Sequence, residues 1–317
     1  MKELRLRYKE PAEDSLEGWE RYSLPLGNGY AGASVFGGVE RERIQFTTNA
    51  FANTYKMGGV SSFADIFLES PEEGVSNYVR ELDLNRGIAS SRYSSSHGET
   101  RREAFFNYPD NVFVYHVTFE KEKDIAIRLA IPYLTSRTPE EGGRIGKVYT
   151  EDGRLVMRGE LPSRNLLFEG RLSVLTDGKK TEKEEGISVS GAKEITILFA
   201  FDTSYRLCPE AFLTHKAVGE DPHAKVLSRI DKAESFGFKT LLRRHLDDFE
   251  PKMKRVSLSL GGVEDDRTTE ELLSSYREGL SEPYLEELYY QYGRYLLLSS
   301  SRKGTTPAFP PRHLERP

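Results

Sequence analysis

The feature that most constrains this chain is a strongly apolar stretch near its C-terminal end. Within 285–302, the leucine and tyrosine side chains recur at steps of three and four residues: Leu285, Leu288, Tyr289, Tyr292, Leu296 and Leu297. This spacing predicts a helix with one apolar face. Only fifteen residues follow Arg302, and they include Pro307, Pro310 and Pro311. The helix therefore either packs back on the preceding chain or needs a larger partner, and we favour the second interpretation.

Composition excludes several classes of protein. The 317 residues, 37% hydrophobic, suffice for one large domain or two smaller ones. The formal net charge of −5 argues against a nucleic-acid partner. The lone cysteine, Cys208, leaves no internal disulfide and suggests a reducing compartment. Because the sequence shows neither a signal-peptide core nor a run of 18 apolar residues, we expect a soluble cytoplasmic protein without a membrane partner.

Short strands and turns dominate from Leu4 to about Leu260. Two extended segments flank Gly37 and Gly38, which predicts a hairpin. Further strand candidates are 76–84, 87–93, 99–106, 111–120, 124–132, 147–150, 154–159, 166–176, 186–189 and 194–200. So many strands at regular spacing predict a large antiparallel sandwich or barrel.

Helical patterns begin only after residue 220. Asp221 and Pro222 are typical of a helix start, and the first helix should extend to about Ala233. A second helix is predicted over 238–249, then a strand over 255–260 that stops at glycine, then a short helix capped by Thr268 or Thr269. We therefore place a domain boundary near residue 262.

No motif identifies a reaction. The glycine-rich segment 27–32 lacks the following helix that a dinucleotide-binding loop requires, so we interpret it as a tight turn. No histidine has metal-ligand spacing; His116 is predicted in the sheet and His245 as an exposed or capping group. Charged stretches such as 40–43 are expected at solvated turns. We therefore predict no metal and no cofactor.

A resemblance to a known family indicates a function that residue spacing alone does not. The segment LPLGNGYAGASVFGGVERERIQ at 24–45 resembles the N-terminal signature of glycoside hydrolase family 95, which contains inverting 1,2-α-L-fucosidases and some α-L-galactosidases. Four further groups of segments resemble this family in the same order: 78–84 with 87–89, 101–105 with 108–110, 245–258, and 290–302 with GTTPA at 304–308. Together they cover almost the whole chain.

The resemblance implies a mainly β fold, with a large antiparallel β-super-sandwich over residues 1–262. A helical linker and the first helix of a truncated (α/α)6 barrel would follow over 263–302, and 303–317 would be an aberrant or truncated tail. The tail at 309–317 departs from the family pattern, and we interpret it as the product of a one-base frameshift, with a natural short tail as the alternative. Because the family's catalytic groups lie in the barrel, the resemblance assigns no catalytic residue to this chain.

One loop departs from the family pattern. The segment 46–55 lacks the acidic pair and the tryptophan that relatives have there, although Asn49 matches the asparagine. If this loop faces the active site, Asn49, Asn53 and Tyr55 would lie next to the substrate and change its preference.

Three functions remain open. The first is the non-catalytic N-terminal domain of an α-L-fucosidase-like hydrolase, inactive alone. It predicts an apolar patch around Tyr289, Tyr292 and Leu296. The second is a stand-alone carbohydrate-binding or scaffold module. The third is a split enzyme half, complemented by a separately encoded barrel. The implied partners are a fucosylated or galactosyl glycan and that missing or separate barrel.

Overall fold

The computed structural model describes residues 2–51, 61–134, 138, 143–184 and 186–305. The strands are β1 (Arg5–Tyr8), β2 (Leu24–Gly27), β3 (Ala31–Val35), β4 (Arg41–Thr48), β5 (Ser62–Glu69), β6 (Ser76–Asp83), β7 (Ile88–Ser95), β8 (Gly98–Asn107), β9 (Val112–Ala130), β10 (Ile145–Glu151), β11 (Arg154–Leu161), β12 (Leu166–Thr176), β13 (Lys179–Lys183) and β14 (Gly186–Thr203). The α-helices are α1 (Pro209–Thr214), α2 (His223–Met253), α3 (Thr269–Arg277) and α4 (Pro283–Ser300), and shorter helical turns cover Gly18–Tyr22 and Pro162–Arg164.

Hydrogen bonds join the described strands into one curled antiparallel sheet. Its main order is β1-β6-β7-β8-β9-β14-β12-β11-β10, while β2 to β5 form a meander whose last strand pairs with β9. The first half of β9 pairs with β8 and its second half with β5. The sheet thus folds over itself, which confirms the predicted antiparallel β-sandwich followed by a few helices.

Two predicted strand breaks are wrong. Two strands each are predicted within 111–132 and within 186–200, but β9 and β14 are continuous. Lys123 of β9 still pairs with Ala192 of β14, and the register shifts on either side of Ala192. Gly191, with φ near 64°, lies in this irregular stretch. The turn-like residues therefore form a β-bulge inside a continuous ladder.

Aromatic side chains fill the space between the two halves of the curled sheet. Phe46 of β4 lies 4.8 Å from Phe113 and 4.9 Å from Phe199, measured between ring centroids, and all three rings are fully buried. Phe63 stacks on Phe201 at 4.7 Å. These contacts join β4 and β5 to the long strands, and they explain why the phenylalanine-rich strands form one core.

The solvated turn predicted over 40–43 is wrong for Glu42, which is only 1% exposed. Its carboxylate accepts hydrogen bonds from the Gly37 backbone at 2.7 Å and from Arg102 and Tyr115 at 3.3 Å. Burial raises the pKa of Glu42, and the charge of Arg102 opposes that shift. The position alternates inward along β4, so strand geometry decided its burial despite its charge.

Helix α2 confirms the two predicted helices, which meet at Gly237 in a non-helical backbone conformation (φ 64°, ψ 175°). Its first half packs Val226, Ile230 and Ala233 on a second apolar cluster formed by the outer face of the sheet. His116 stacks on Phe238 with ring centroids 3.7 Å apart, which confirms its predicted place in the sheet.

His245 corrects the sequence analysis, because it is buried rather than exposed. Its Nε2 lies 2.8 Å from the carbonyl oxygen of Arg86, and its ring packs between Phe105 and Phe249. Burial lowers the pKa of His245 to about 4 from its ordinary value of 6.5.

The C-terminal helices lie against the sandwich. The predicted cap of α3 is confirmed, because Thr268 and Glu271 form a reciprocal capping box. The strand predicted over 255–260 is wrong. No sheet partner exists for it among the described residues, and its last residues instead donate backbone hydrogen bonds from Leu260 and Gly262 to Glu287 of α4.

Helix α4 has two unlike faces. Leu288 and Tyr295 are buried against the sandwich, and the Tyr295 hydroxyl donates to the Pro25 carbonyl at 2.6 Å. Tyr289 is 79% and Leu297 is 65% exposed. The favoured interpretation, that this helix needs a larger partner instead of packing on the preceding chain, is therefore wrong for its buried face. Of the expected apolar patch, Tyr289 and Leu296 are exposed, whereas Tyr292 packs against the core.

Candidate functional site: a cleft at one edge of the sheet

An open cleft of about 760 Å³ lies where several strand ends meet. The β2–β3 turn, the end of β4, the β8–β9 turn, the end of β14 and the first half of α2 surround it. The lining residues are Gly29, Tyr30, Ala31, Thr48, Asn49, Ala50, Tyr108, Pro109, Asp110, Asn111, Phe201, Asp202, Thr203, Tyr205, Leu207, Lys225, Ser228, Arg229, Lys232, Gly304 and Thr305. Clefts of this size hold small ligands in many proteins.

Asn28 organises the β2–β3 turn at the cleft. Its buried side chain accepts hydrogen bonds from the backbone of Tyr30 at 3.0 Å and of Ala31 at 3.1 Å, and it donates to the Asn111 side chain at 2.7 Å. Gly29 has φ near 85°, and a Cβ there would lie 2.7 Å from the side chain of Arg302. The glycine-rich segment is thus the predicted tight turn, and a strand follows it.

Arg302 joins the end of α4 to this turn. Its guanidinium forms an ion pair with Asp248 of α2 and lies 4.3 Å from the Tyr108 ring centroid. The Tyr108 hydroxyl donates to the Lys303 carbonyl at 2.9 Å, and the Tyr30 ring stacks on Tyr108 at 6.1 Å. The contacts with Arg302 and Lys303 therefore fix the tyrosine pair, while Tyr30 remains 40% exposed at the cleft.

The opposite wall is charged. Asp110 is buried, and Arg244 binds both of its carboxylate oxygens, at 2.7 and 3.0 Å. These hydrogen bonds raise the pKa of Arg244. Lys232 lies 3.3 Å from the same carboxylate, and Arg229 forms an ion pair with Asp202 at 2.9 Å. Both carboxylates of the cleft are therefore already paired with basic side chains.

The structure places one of the three predicted loop residues. Asn49 lines the cleft at the end of β4, and its side-chain amide lies 3.4 Å from the Gly29 carbonyl. Asn53 and Tyr55 lie outside the described residues. Asn49 is thus beside the candidate site, and its role next to a substrate stays a prediction.

Two further observations concern the described residues. No group of three or more histidine, cysteine, aspartate or glutamate side chains there is arranged to hold a metal ion. No helix in the same ranges combines the length and apolarity needed to cross a bilayer.

Comparison with known families divides the chain into two matches. Residues 6–51 and 46–207 match the sequence profile described as "Glycosyl hydrolase family 65, N-terminal domain". Residues 237–309 match the one described as "Glycosyl hydrolase family 95 catalytic domain". The chain belongs to a family 95-like group of glycoside hydrolases with an N-terminal domain. The second match begins within α2, and the predicted boundary near residue 262 stays a prediction.

Curated relatives agree with that assignment. The chain is 27% identical to "Probable alpha-fucosidase A" of Aspergillus niger over 90% of its own length and 42% of that protein. It is 23% identical to "Alpha-L-fucosidase 2" of Arabidopsis thaliana over 90% of its length and 41% of that protein. The chain therefore spans about two fifths of the length of these relatives.

A solved structure supports the fold. The "Putative kojibiose phosphorylase from human microbiome" superposes with a TM-score of 0.57 over 94% of this chain and 43% of that one, at 12% identity. This likeness shows that the β-sandwich and its following helices have a known arrangement.

Most residues of this cleft could not be predicted from the sequence. Tyr30 and Tyr108 are two of many aromatic residues, and neither spacing nor composition distinguishes them. A signal did exist in α2, where Lys225, Arg229 and Lys232 recur at steps of four and three and so share one helix face. That pattern shows a basic face, but only the fold shows that it lines a cleft.

Proposed function

We propose that this chain forms the β-domain wall of the substrate cleft in an α-L-fucosidase-like glycoside hydrolase. One observation carries the proposal. Three segments of the family resemblance, far apart in sequence, meet at the cleft: the β2–β3 turn, the segment 108–110, and Gly304 with Thr305. A shared ligand site explains why such separate segments match the same family.

The chemistry of the lining supports a carbohydrate ligand. Tyr30 presents an exposed ring of the kind that stacks on a sugar face. Asn49 and Asn111 supply amide groups, and Thr48 and Thr203 supply hydroxyl groups, around the same cleft. A few polar groups beside an aromatic surface match the hydroxyl-rich edges and apolar face of a sugar ring.

We also propose that the chain does not hydrolyse glycosides alone. An inverting enzyme needs one carboxyl group that donates a proton and a second that activates water. The two carboxylates of the described cleft, Asp110 and Asp202, form ion pairs with Arg244 and Arg229 instead. The family resemblance places the catalytic groups in a barrel that follows the GTTPA segment at 304–308.

The test is hydrolysis of 2′-fucosyllactose and of an aryl α-L-fucoside by the purified 317-residue chain. A full-length α-L-fucosidase relative serves as the positive control. We expect turnover by the relative and none by this chain. Measurable turnover that disappears in the D110N or D202N variant would show that the chain carries its own catalytic groups.

A further inference from the structure

The cleft has a positive excess that the chain as a whole lacks. The formal net charge of the protein is −5. Three cationic side chains line the cleft (Lys225, Arg229 and Lys232), against two carboxylates, those of Asp110 and Asp202. Asp110 is also paired with Arg244, which lies outside the lining. Neutral sugars need no such excess of positive charge, because protein hydroxyl and amide groups satisfy their hydrogen-bonding groups.

Lys225 is the group that the protein does not use internally. Asp110 is held by Arg244 and Lys232, and Asp202 is held by Arg229. Lys225 is exposed, lines the cleft, and has no ion-pair or hydrogen-bond partner among the residues that the structure describes. It lies one turn before Arg229 on the same face of α2. The cleft therefore offers an unsatisfied ammonium group to whatever binds there.

We infer that the cleft accepts a glycan bearing an anionic substituent, either the carboxylate of a uronic acid or a sulfate ester. The inference rests on the proposed function, since it assigns a substrate class to the same cleft. The sugar ring would stack on Tyr30, and the anionic group would bind Lys225 with support from Arg229. Lysine is a compact cation with three donors, so it suits either anion.

The position of the cations favours this interpretation over a purely structural one. Structural ion pairs satisfy each other, as Arg102 and Glu42 do in the core. In the cleft, the ion pairs among the described residues leave Lys225 without a carboxylate partner, on a wall open to solvent. An exposed lysine contributes little to folding, so its effect should be measurable on binding alone.

The experiment compares matched ligands that share a sugar ring and differ in one substituent, neutral in one ligand and anionic in the other. Methyl α-L-fucoside is compared with its 4-sulfate, and methyl α-D-galactoside with methyl α-D-galactosiduronate. Binding of each to the full 317-residue chain is measured by ligand-detected nuclear magnetic resonance at low ionic strength and at about 0.5 M salt. Inorganic sulfate is titrated alone. The variants are K225Q and, as a control on the exposed face of the second half of α2, K239Q.

We expect at least one anionic ligand to bind about fivefold tighter than its neutral partner at low salt. The preference should shrink at high salt, vanish in K225Q and persist in K239Q. Which pair shows it identifies the carboxylate or the sulfate. Equal binding of charged and neutral ligands, an unchanged preference in K225Q, or inorganic sulfate binding as tightly as the sulfated sugar would overturn the inference.

The same data separate this inference from the proposed function. Saturable binding of the neutral glycosides without a charge preference removes the inference alone and leaves the glycan cleft intact. If none of the four glycosides binds to the wild-type chain, the assignment of the cleft to a glycan fails, and the inference fails with it.

Discussion

Two charged regions of this protein differ in what surrounds them. In the core, Glu42, Arg102 and Tyr115 lie between strands, and Arg102 also donates to backbone carbonyls of the β3–β4 turn and to the Tyr93 hydroxyl. At the cleft, Arg229 and Asp202 are each 26% exposed and Lys225 has no partner among the described residues. The polar groups of the core network bind one another, whereas the charged groups of the cleft wall are accessible to solvent.

The difference shows that charge alone does not locate a functional site. Buried ion pairs constrain the fold, and their loss leaves an uncompensated charge in a medium of low polarity. Exposed charges contribute little to stability and remain available to ligands. Substitutions in the two regions should therefore separate stability from binding.

The largest effect is expected for R102M in the core. Removing this guanidinium leaves Glu42 buried without its cation, which should lower the free energy of unfolding by about 3–5 kcal/mol. The matched cleft variant R229M should lower it by about 1 kcal/mol or less. Urea denaturation of both variants measures the difference. Equal losses would mean that the two regions do not differ as described.

A second large effect concerns pH. Because folding lowers the pKa of His245 from 6.5 to about 4, the unfolded chain takes up a proton between these values and the folded chain does not. The contribution of His245 to stability should therefore be constant above pH 6.5 and fall by about 3 kcal/mol as pH drops to 4. Arg86 and Arg302, the nearby charges, oppose protonation further.

The comparison is between the wild type and H245Q in urea denaturation at several pH values. The slope between pH 6.5 and pH 4 should be smaller in the variant, since glutamine does not titrate. An identical slope in both proteins would assign the acid sensitivity to other groups.

A smaller effect is expected at the turn that borders the cleft. G29A places a Cβ at φ near 85° and 2.7 Å from Arg302, which should cost about 1–3 kcal/mol. G74A is the control, because Gly74 has φ near 67° but no atom within 4 Å of the added Cβ. Thermal unfolding should show the larger loss for G29A. A loss no greater than that of the control would contradict the close contact.

The smallest stability effect is expected on the exposed face of α4. L297Q should change the free energy of unfolding by less than about 0.5 kcal/mol. Because exposed apolar side chains favour association, it should reduce concentration-dependent self-association in sedimentation velocity. E286Q, on the same helix, serves as the control. Unchanged association in L297Q would show that this face does not mediate contacts.

Local signals predicted much of the fold. The alternation of apolar residues located most strands, Thr268 located the start of α3, and the break between the two halves of α2 was expected. Glu42 and His245 were misjudged, because the burial of a polar side chain depends on neighbours distant in sequence. The bulge at Gly191 was predicted as a break between two strands, since bulges and turns favour the same residues.

The candidate site was less predictable than the fold. Asn49 was identified through the family resemblance and does line the cleft. Tyr30, Asp110 and Lys225 come from three separate elements, and only the folded sheet brings those elements together. No spacing along the chain encodes that convergence.

The central claim is that the cleft binds a glycan, and a titration followed by backbone amide shifts tests it most directly. With 2′-fucosyllactose, the account predicts saturable shifts at Gly29, Tyr30 and Asn111, weakened in Y30A. Shifts confined to another surface, such as the outer sheet face near Arg92 and Arg101, or no saturable shifts at all, would contradict it.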